Sequence, residues 1–496
     1  MKTPPVVAAL VLLSLVTLTA QRRVDSVFLD DRTSAEVRDL IAAGTTTVII
    51  GTAGTEQKGP HMVDGEHKFV MEYAADKIAR ALGRTLVAPV IAYVPEGSWE
   101  RPTGHMGKPG TITLPEDRFV ELLANAGRSL KAGGFTTILF LGESGGNRTG
   151  MRAAAARLNE LFKTTAGSAR AFWVDDYYTK SHADQNAYIS RTLDIPENQI
   201  GNHANILDTS ELLFVNPKHI RMKKLAPGGG YENSGVSGDP TKSTAAIGKA
   251  LLQIKIDNAV AQARALMAGT AQPAESPAPA AGGGGGRGRG GQGRGGAAPP
   301  AGPPRPTFET APAGTPSQAP DTVFIDELTW EETRDALKAG ARTVIVPAGG
   351  TVTRADRLVL GTHNVRVTRA ADVMARRLKK TLVAPTIQYV PDGDPDRASP
   401  GAISLPSPAY DHLLDAAARS LKAHGFTEIL FIGDTGGAQQ GMQNVADTLN
   451  AEWKDSGTMV FALTQYYEAG RDKPAGASID VKVNAAIAQL RVRPRP

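Results

Sequence analysis

The chain has 496 residues, too many for a single hydrophobic core, so two or more domains are expected. Its hydrophobic content of 41% and charged content of 21% are typical of globular proteins, and its net charge of +5 is too modest to indicate a nucleic-acid surface. The absence of cysteine excludes a disulfide framework, a thiol nucleophile and a zinc-thiolate site.

The N-terminus has the proportions of a secretory signal. Lys2 precedes an apolar or small run at residues 6–20, which is followed by glutamine and two arginines. The run is too short to span a bilayer comfortably, so we predict a signal peptide at residues 1–20 with cleavage after Ala20. An uncleaved membrane anchor is the alternative. Export without disulfides suits a bacterial periplasm or the exterior, with no stable membrane association after cleavage.

Apolar segments then alternate in type along the chain. The patterns predict helices at residues 34–43, 68–82, 116–131 and 151–164, and strands at residues 46–50, 85–93 and 136–141. Continuously apolar strands separated by helices favour an α/β fold, with a mostly parallel sheet covered by helices on both faces. The loops that follow the strands meet at one edge of such a sheet, where ligands bind.

The sequence repeats itself. LVAPVIAYVP at residues 86–95 reappears as LVAPTIQYVP at residues 382–391, and RSLKAGGF at residues 128–135 reappears as RSLKAHGF at residues 419–426. The spacing between the copies falls from 296 to 291 positions, so the second copy has lost five residues together with any counterpart of His105. We therefore predict two tandem domains, at residues 24–269 and 321–496, the second of them truncated.

Residues 270–320, between the copies, consist mainly of alanine, proline and glycine. Such a segment cannot bury enough apolar surface to offset its ordering entropy, which predicts a flexible linker. Protease is expected to cut it and release two folded pieces. Arginines set in glycine are also found in RNA-binding tracts, but the export signal and the lack of aromatic residues in the glycine-rich part favour no nucleic-acid partner.

The stretch from 51 to 67 concentrates groups that can bind metal or transfer protons. It follows a predicted strand and holds five of them: Glu56, His61, Asp64, Glu66 and His67. A solvated acidic loop with incidental histidines is the alternative.

Five motifs in this half of the chain carry a resemblance. They are GTEQKGPH at 54–61, HMGKPGTITL at 105–114, LGESGGN at 141–147, HANILDTS at 203–210 and GVSGDPTK at 235–242. In this order they resemble the creatininase (creatinine amidohydrolase) family, metal-dependent hydrolases of amide C–N bonds.

The resemblance implies a metal centre that this chain has altered. The positions of the family's metal ligands are held here by Glu56, Lys58, His67, Ser144 and Asp208. Because three of the five differ in type, we predict one divalent ion, zinc or manganese, on Glu56, His67 and Asp208. Lys58 would supply part of the charge of the second ion.

His203 corresponds to the family's histidine beside the scissile amide, where an imidazole exchanges a proton with the leaving nitrogen. A core histidine donating to a carbonyl is the alternative. The predicted catalytic residues are His203, Lys58 and Glu143. Four further side chains are reserve ligands, each with a solvated or capping role as its alternative: Glu143, His61, Asp64 and His105.

The second copy has lost most of these groups. Val352 stands at the Glu56 position, Arg354 at Lys58 and Thr435 at Ser144, while His363 matches His67. This copy is therefore predicted to be a structural or regulatory partner of the first.

Together these features predict an exported creatininase-like amidohydrolase acting on a small-molecule amide or cyclic amide, with a homo-oligomer possible. The alternative is an inactive pseudoenzyme that binds a small ligand or a protein. No residue specifies creatinine as the substrate.

Overall fold

The computed structural model describes residues 25–224, 233–271, 321–354, 357–471 and 477–492. The signal-peptide prediction and almost all of the linker prediction fall outside these ranges. Within them, no helix combines the length and apolar character needed to cross a lipid bilayer.

The first copy forms a four-stranded parallel sheet in the order β2-β1-β3-β4. Its strands are β1 (Thr47–Thr52), β2 (Thr85–Val87), β3 (Thr137–Gly142) and β4 (Arg170–Trp173). Its helices are α1 (Ser34–Ala42), α2 (Glu66–Leu82), α3 (Glu116–Ala132), α4 (Asn147–Thr164), α5 (Thr179–Leu193), α6 (Glu197–Ile200), α7 (Ile206–Val215) and α8 (Ala245–Ala268). The two sheet faces are covered by separate hydrophobic clusters, as the apolar strands predict.

The second copy repeats this sheet in the order β6-β5-β7-β8. Its strands are β5 (Thr343–Ala348), β6 (Thr381–Val383), β7 (Glu428–Gly433) and β8 (Met459–Ala462). Its helices are α9 (Trp330–Lys338), α10 (Thr362–Leu378), α11 (Ser407–Ala423), α12 (Gly436–Glu452), α13 (Gln465–Arg471) and α14 (Ile479–Arg491). The predicted α/β fold with two parallel sheets is therefore confirmed.

One predicted strand is much shorter in the structure. The expected strand at residues 85–93 keeps ladder pairing only over β2, because Pro89 has no N–H to donate. The chain beyond it stays extended and buried: the Ile91 N–H donates to the Gly51 carbonyl, and the Ala53 N–H donates to the Ile91 carbonyl. This segment leads the chain directly to the edge of the sheet that carries the candidate site.

The two copies share one hydrophobic core. Apolar side chains of both copies, among them Leu122 and Leu413, belong to a single buried cluster. Two tyrosines cross the interface reciprocally: the Tyr93 hydroxyl donates to the Pro385 carbonyl at 2.5 Å, and the Tyr389 hydroxyl donates to the Pro89 carbonyl at 2.7 Å. Tyr93 and Tyr389 occupy equivalent repeat positions, so the copies pack as the halves of a symmetric dimer do.

Candidate functional site

Four segments of the first copy meet at the carboxyl edge of its sheet. The loop after β1 carries Glu56 and Lys58, and the first turn of α2 carries Glu66 and His67. Asn205 caps α7 by accepting the N–H groups of the first turn. The cap places Asp208 in that turn, next to the loop that bears His203 and an Ala204 with a φ of +48°. The fourth segment is the loop at residues 104–107, which holds His105.

Glu56 is the centre of the site. Its side chain is 2% exposed, and its Oε1 lies 2.8 Å from His67 Nε2, 3.2 Å from Lys58 Nζ and 3.3 Å from His203 Nε2. Its Oε2 lies 3.2 Å from His105 Nε2. Burial disfavours the charged carboxylate, but His105, Lys58 and His67 outweigh it and hold the pKa of Glu56 well below its usual value. Glu56 is therefore an ionised, buried carboxylate.

Lys58 joins three carboxylates. Its Nζ lies 3.1 Å from Asp208 Oδ2, 3.2 Å from Glu56 Oε1 and 3.4 Å from Glu66 Oε2. Burial opposes the charged ammonium, but Asp208, Glu66 and Glu56 together raise the pKa of Lys58 well above its usual value. A fixed positive charge thus occupies the point where these acids meet.

His67 is also held in the charged form. Its Nδ1 lies 2.9 Å from Glu66 Oε2, opposite the contact between its Nε2 and Glu56. Burial and Lys58 lower its pKa, but Glu66 and Glu56 outweigh them and raise it to about 10. Both ring nitrogens of His67 therefore face carboxylate oxygens. The structure brings the predicted ligands Glu56, His67 and Asp208 together, but the Lys58 ammonium links Asp208 to Glu56.

A different trio has metal-binding geometry. Ligand atoms of Glu56, His105 and His203 all lie within 4.8 Å of one another, and among the described residues no other group of three or more does so. The His105 and His203 rings stack with centroids 4.4 Å apart. Glu56 Oε2 is buried without a well-aligned hydrogen-bond donor. Two imidazoles and one carboxylate are a donor set that zinc and manganese accept, so these residues fit one ion.

The ring contacts set the two tautomers differently. His203 Nδ1 lies 2.7 Å from the Gly235 carbonyl, which can only accept, so Nδ1 carries a proton and Nε2, 3.3 Å from Glu56 Oε1, is the nitrogen that an ion would use. The Gln57 amide oxygen accepts from the Gly59 N–H, which turns the amide nitrogen toward His105 Nδ1 at 3.1 Å. His105 therefore carries its proton on Nε2, and an ion held there requires the Gln57 amide to turn over.

Glu143 lies outside this cluster. Its Oε1 accepts from Lys255 and its Oε2 accepts from the Tyr177 hydroxyl, and Lys255 also bonds Glu211 at 2.9 Å. Because both oxygens are engaged in a separate buried network, the structure moves Glu143 from the predicted catalytic set to a structural role.

Three other candidate positions make contacts of their own. His61 Nε2 bonds the Thr209 hydroxyl at 2.8 Å, and burial lowers the His61 pKa to about 3 against the opposing effect of Asp208. The Asp64 N–H donates to the Leu328 carbonyl of the second copy at 2.8 Å, while its carboxylate is buried, and burial raises the Asp64 pKa well above its usual value. Ser144 accepts the Gly146 N–H near the start of α4.

Sequence reasoning missed Glu96 and underrated His105. Glu96 is buried beside Glu56, and burial together with that neighbouring charge raises its pKa well above its usual value. Its signal was present: residue 96 follows the repeated YVP tripeptide, and the second copy has Asp392 at the same position. His105 was the histidine missing from the second copy, which marks it as specific to the first site.

The second copy has no comparable cluster within its described residues. Val352 is buried at the Glu56 position, and His363 Nδ1 bonds Asp434 at 2.7 Å. Asp434 is bonded in turn by Lys482 and Tyr466, the counterpart of the Glu143 network. This arrangement supports the fold rather than a metal site.

Comparison with known proteins places both copies in one family. The family profile described as creatinine amidohydrolase (creatininase) matches residues 30–263 and 326–484, which is well over half of the chain.

Individual relatives are distant. The 3-dehydro-scyllo-inosose hydrolase of Thermotoga maritima is 22% identical over 203 residues, covering 40% of this chain and 60% of that protein. The mycofactocin precursor peptide peptidase of Mycobacterium tuberculosis H37Rv is 26% identical over 240 residues, covering 43% and 83%. A solved creatinine amidohydrolase is 19% identical with a TM-score of 0.40, covering 49% of this chain and 98% of its own. Solved creatininases include a manganese form and a mutant with a zinc pair.

Proposed function

Because the chain belongs to the creatininase family, we propose that its first copy is a metal-dependent amidohydrolase that cleaves the C–N bond of a small amide or cyclic amide. The observation that carries the proposal is the buried Glu56 carboxylate in contact with His105, His203 and Lys58. Glu56, His105 and His203 would hold one divalent ion, zinc or manganese. When bound, such an ion polarises a carbonyl and lowers the pKa of water.

The remaining groups keep the site charged and ordered. Lys58 and the His67 imidazolium neutralise Glu56, Glu66 and Asp208, which could not otherwise stay ionised together in a buried space. Lys58 thus contributes a positive charge that needs no second ion. This supports a centre with one ion rather than two.

His203 Nε2 has one lone pair and two competing uses. The family resemblance gives this residue the proton of the leaving nitrogen, whereas its 3.3 Å distance from Glu56 would let both side chains hold one ion. A ligand role excludes the proton role while the ion is bound. We favour the ligand role because the Gly235 carbonyl fixes the tautomer that ligation requires.

Zinc titration by calorimetry tests the ligand set. The variants Glu56→Gln, His105→Gln and His203→Gln should each lose tight binding of the ion, while Asp208→Asn should retain it. The opposite pattern, with binding lost in Asp208→Asn and kept in His105→Gln, would restore the trio predicted from the sequence. If His203→Gln keeps the ion but loses turnover, then His203 carries the proton.

The reaction class needs its own assay. Zinc- or manganese-loaded chain should hydrolyse at least one member of a panel of lactams, imides and small linear amides, and Glu56→Gln should not. Ion binding without turnover across the panel would count against a hydrolase and favour a binding role.

Export is proposed on the basis of the apolar run at residues 6–20. N-terminal sequencing of mature protein that begins near Gln21 would support it.

A further inference from the structure

The segment at residues 233–237 fixes the orientation of His203. The Gly235 carbonyl accepts from His203 Nδ1 at 2.7 Å, and the Ser237 N–H donates to the His203 carbonyl at 2.8 Å. Gly235 has a φ of +94°, and a Cβ there would lie 1.8 Å from Gln57 Oε1. The segment is therefore pressed against the site, and any shift of it would turn the His203 ring.

The other side of this segment is held by the second copy. The indole Nε1 of Trp330 donates to the Ser234 carbonyl at 3.0 Å. Lys108 Nζ lies 4.3 Å from the centre of the same ring and donates to the Asn233 carbonyl at 2.6 Å, and the Arg334 guanidinium lies 4.9 Å from that ring. Trp330 is 7% exposed. The ring is thus locked between two cations and the backbone that positions His203.

The same part of the second copy contacts other loops of the site. The Leu328 carbonyl accepts from the Asp64 N–H at 2.8 Å, in the loop that carries Glu56. Glu332 binds the Arg221 guanidinium through both oxygens, at 2.9 and 3.1 Å, and the Arg221 N–H donates to the His61 carbonyl. Residues 326–334 therefore form a wall of the first copy's site.

The equivalent contact, in which the first copy lies against the second copy's cleft, lacks this tryptophan. The Arg32 and Asp30 carbonyls of the first copy accept from the Leu360 and Gly361 N–H groups of the second, matching the contacts made at Leu328 and Asp326. The repeat counterpart of Trp330 is Ser34. Of these two equivalent positions, only the one on the side of Glu56, His105 and His203 carries a large side chain.

We propose that the site is composite: Trp330 of the degenerate second copy is a positioning residue for His203, acting through the backbone of Ser234 and Gly235. Its indole N–H fixes the segment at residues 233–237, which fixes the His203 tautomer. The catalytic consequence rests on the proposed function, whereas the positioning itself does not.

The test compares Trp330→Phe, which keeps an aromatic ring but loses the N–H donor, with Trp330→Ala. Trp453→Phe is the matched control, because Trp453 is 5% exposed and also lies against a cation, with Lys422 Nζ 4.2 Å from its ring. In full-length chain labelled with ¹⁵N-histidine, the Nδ1–H signal of His203, assigned with His203→Gln, is followed by NMR without metal. Zinc affinity is measured alongside it, and thermal melting checks that each variant folds.

Trp330→Phe should broaden or shift the His203 Nδ1–H signal and weaken zinc binding about 3- to 10-fold, near the lower end of the losses seen when groups supporting metal ligands are changed. Trp330→Ala should do both more strongly, and Trp453→Phe should do neither. An unchanged His203 signal in a folded Trp330→Ala variant would overturn the proposal. If wild type binds no zinc, the proposed function fails, and the NMR signal still decides the positioning.

Discussion

Replacing Lys58 by methionine removes a positive charge and keeps most of the apolar stem. At an effective dielectric constant of ~20, each of its three contacts with Glu56, Glu66 and Asp208, at 3.1–3.4 Å, is worth about 5 kcal/mol before desolvation. Burial of the ions offsets most of that sum, and breaking a buried charge network typically costs about 3–5 kcal/mol. We expect the free energy of unfolding to fall by about that amount. The loss goes no further because one of the three carboxylates can take up a proton once the ammonium is gone.

The same substitution should make the site a better cation site. Without the ammonium, the three carboxylates attract a divalent ion more strongly, and we expect zinc affinity to rise at least about tenfold, roughly 1.4 kcal/mol. Added zinc should then restore more stability to Lys58→Met than to wild type. Urea unfolding with and without zinc, together with calorimetry, measures both effects.

Lys255→Met is the matched control for this experiment. Lys255 is equally buried and bonded to two carboxylates, Glu143 and Glu211, but belongs to the network away from the site. It should lose comparable stability with no change in zinc affinity at the Glu56 cluster. Equal gains of zinc affinity in both variants, or none in Lys58→Met, would refute the argument that Lys58 takes the place of a cation.

Three further outcomes are expected. Gln57→Glu should tighten zinc binding about tenfold by calorimetry, because a carboxylate accepts the Nδ1–H that His105 must carry as a ligand; weaker binding would count against His105. Burial lowers the pKa of His424 to about 4, against the opposing hydrogen bond to the Thr111 carbonyl, so the unfolded chain binds its proton first as the pH falls. His424 should contribute at most about 3 kcal/mol to the decline of stability between pH 6.5 and 4, so the decline should be smaller in His424→Gln, as denaturant unfolding across that range can show. Protease should cut within residues 270–320, but the pieces should elute together in gel filtration because they share one core; separation of two monomeric pieces would contradict the interface.

The repeating α/β pattern could be predicted because the apolar pattern of most segments agrees with the structure that they form. β1 and β3 each contain a continuous apolar run and pair in register from Thr47 and Thr137, so hydrophobicity alone located them within one or two residues. β2 ended early because Pro89 has no amide donor, which the apolar pattern does not register. β4 is only four residues long, too short for a periodicity argument.

The sequence predicted which residues lie near one another in the site, but not which of their side chains are in contact. Motif order placed Glu56, Lys58, His203 and Asp208 near one another, and the structure does bring them together. Which of them contact a shared point depends on side chains far apart in sequence. Lys58 bonds a residue 150 positions away, and Glu143 is drawn off by Lys255, 112 positions away. No local pattern encodes such pairings, so neither the proximity of Glu56, His105 and His203 nor the contacts of Glu143 could be predicted from the sequence.

The asymmetry between the copies also shows how the degenerate second copy bears on the candidate site of the first. The second copy lacks the carboxylate at Val352, yet retains the core contacts that join the two sheets and the wall at residues 326–334. Loss of ligands costs that copy nothing in packing, because Val352 is itself buried in the shared core. Loss of the wall would instead release the Asp64 and Ser234 backbone beside Glu56 and His203. The second copy therefore bears on the first copy's site through its interface rather than through its own cleft.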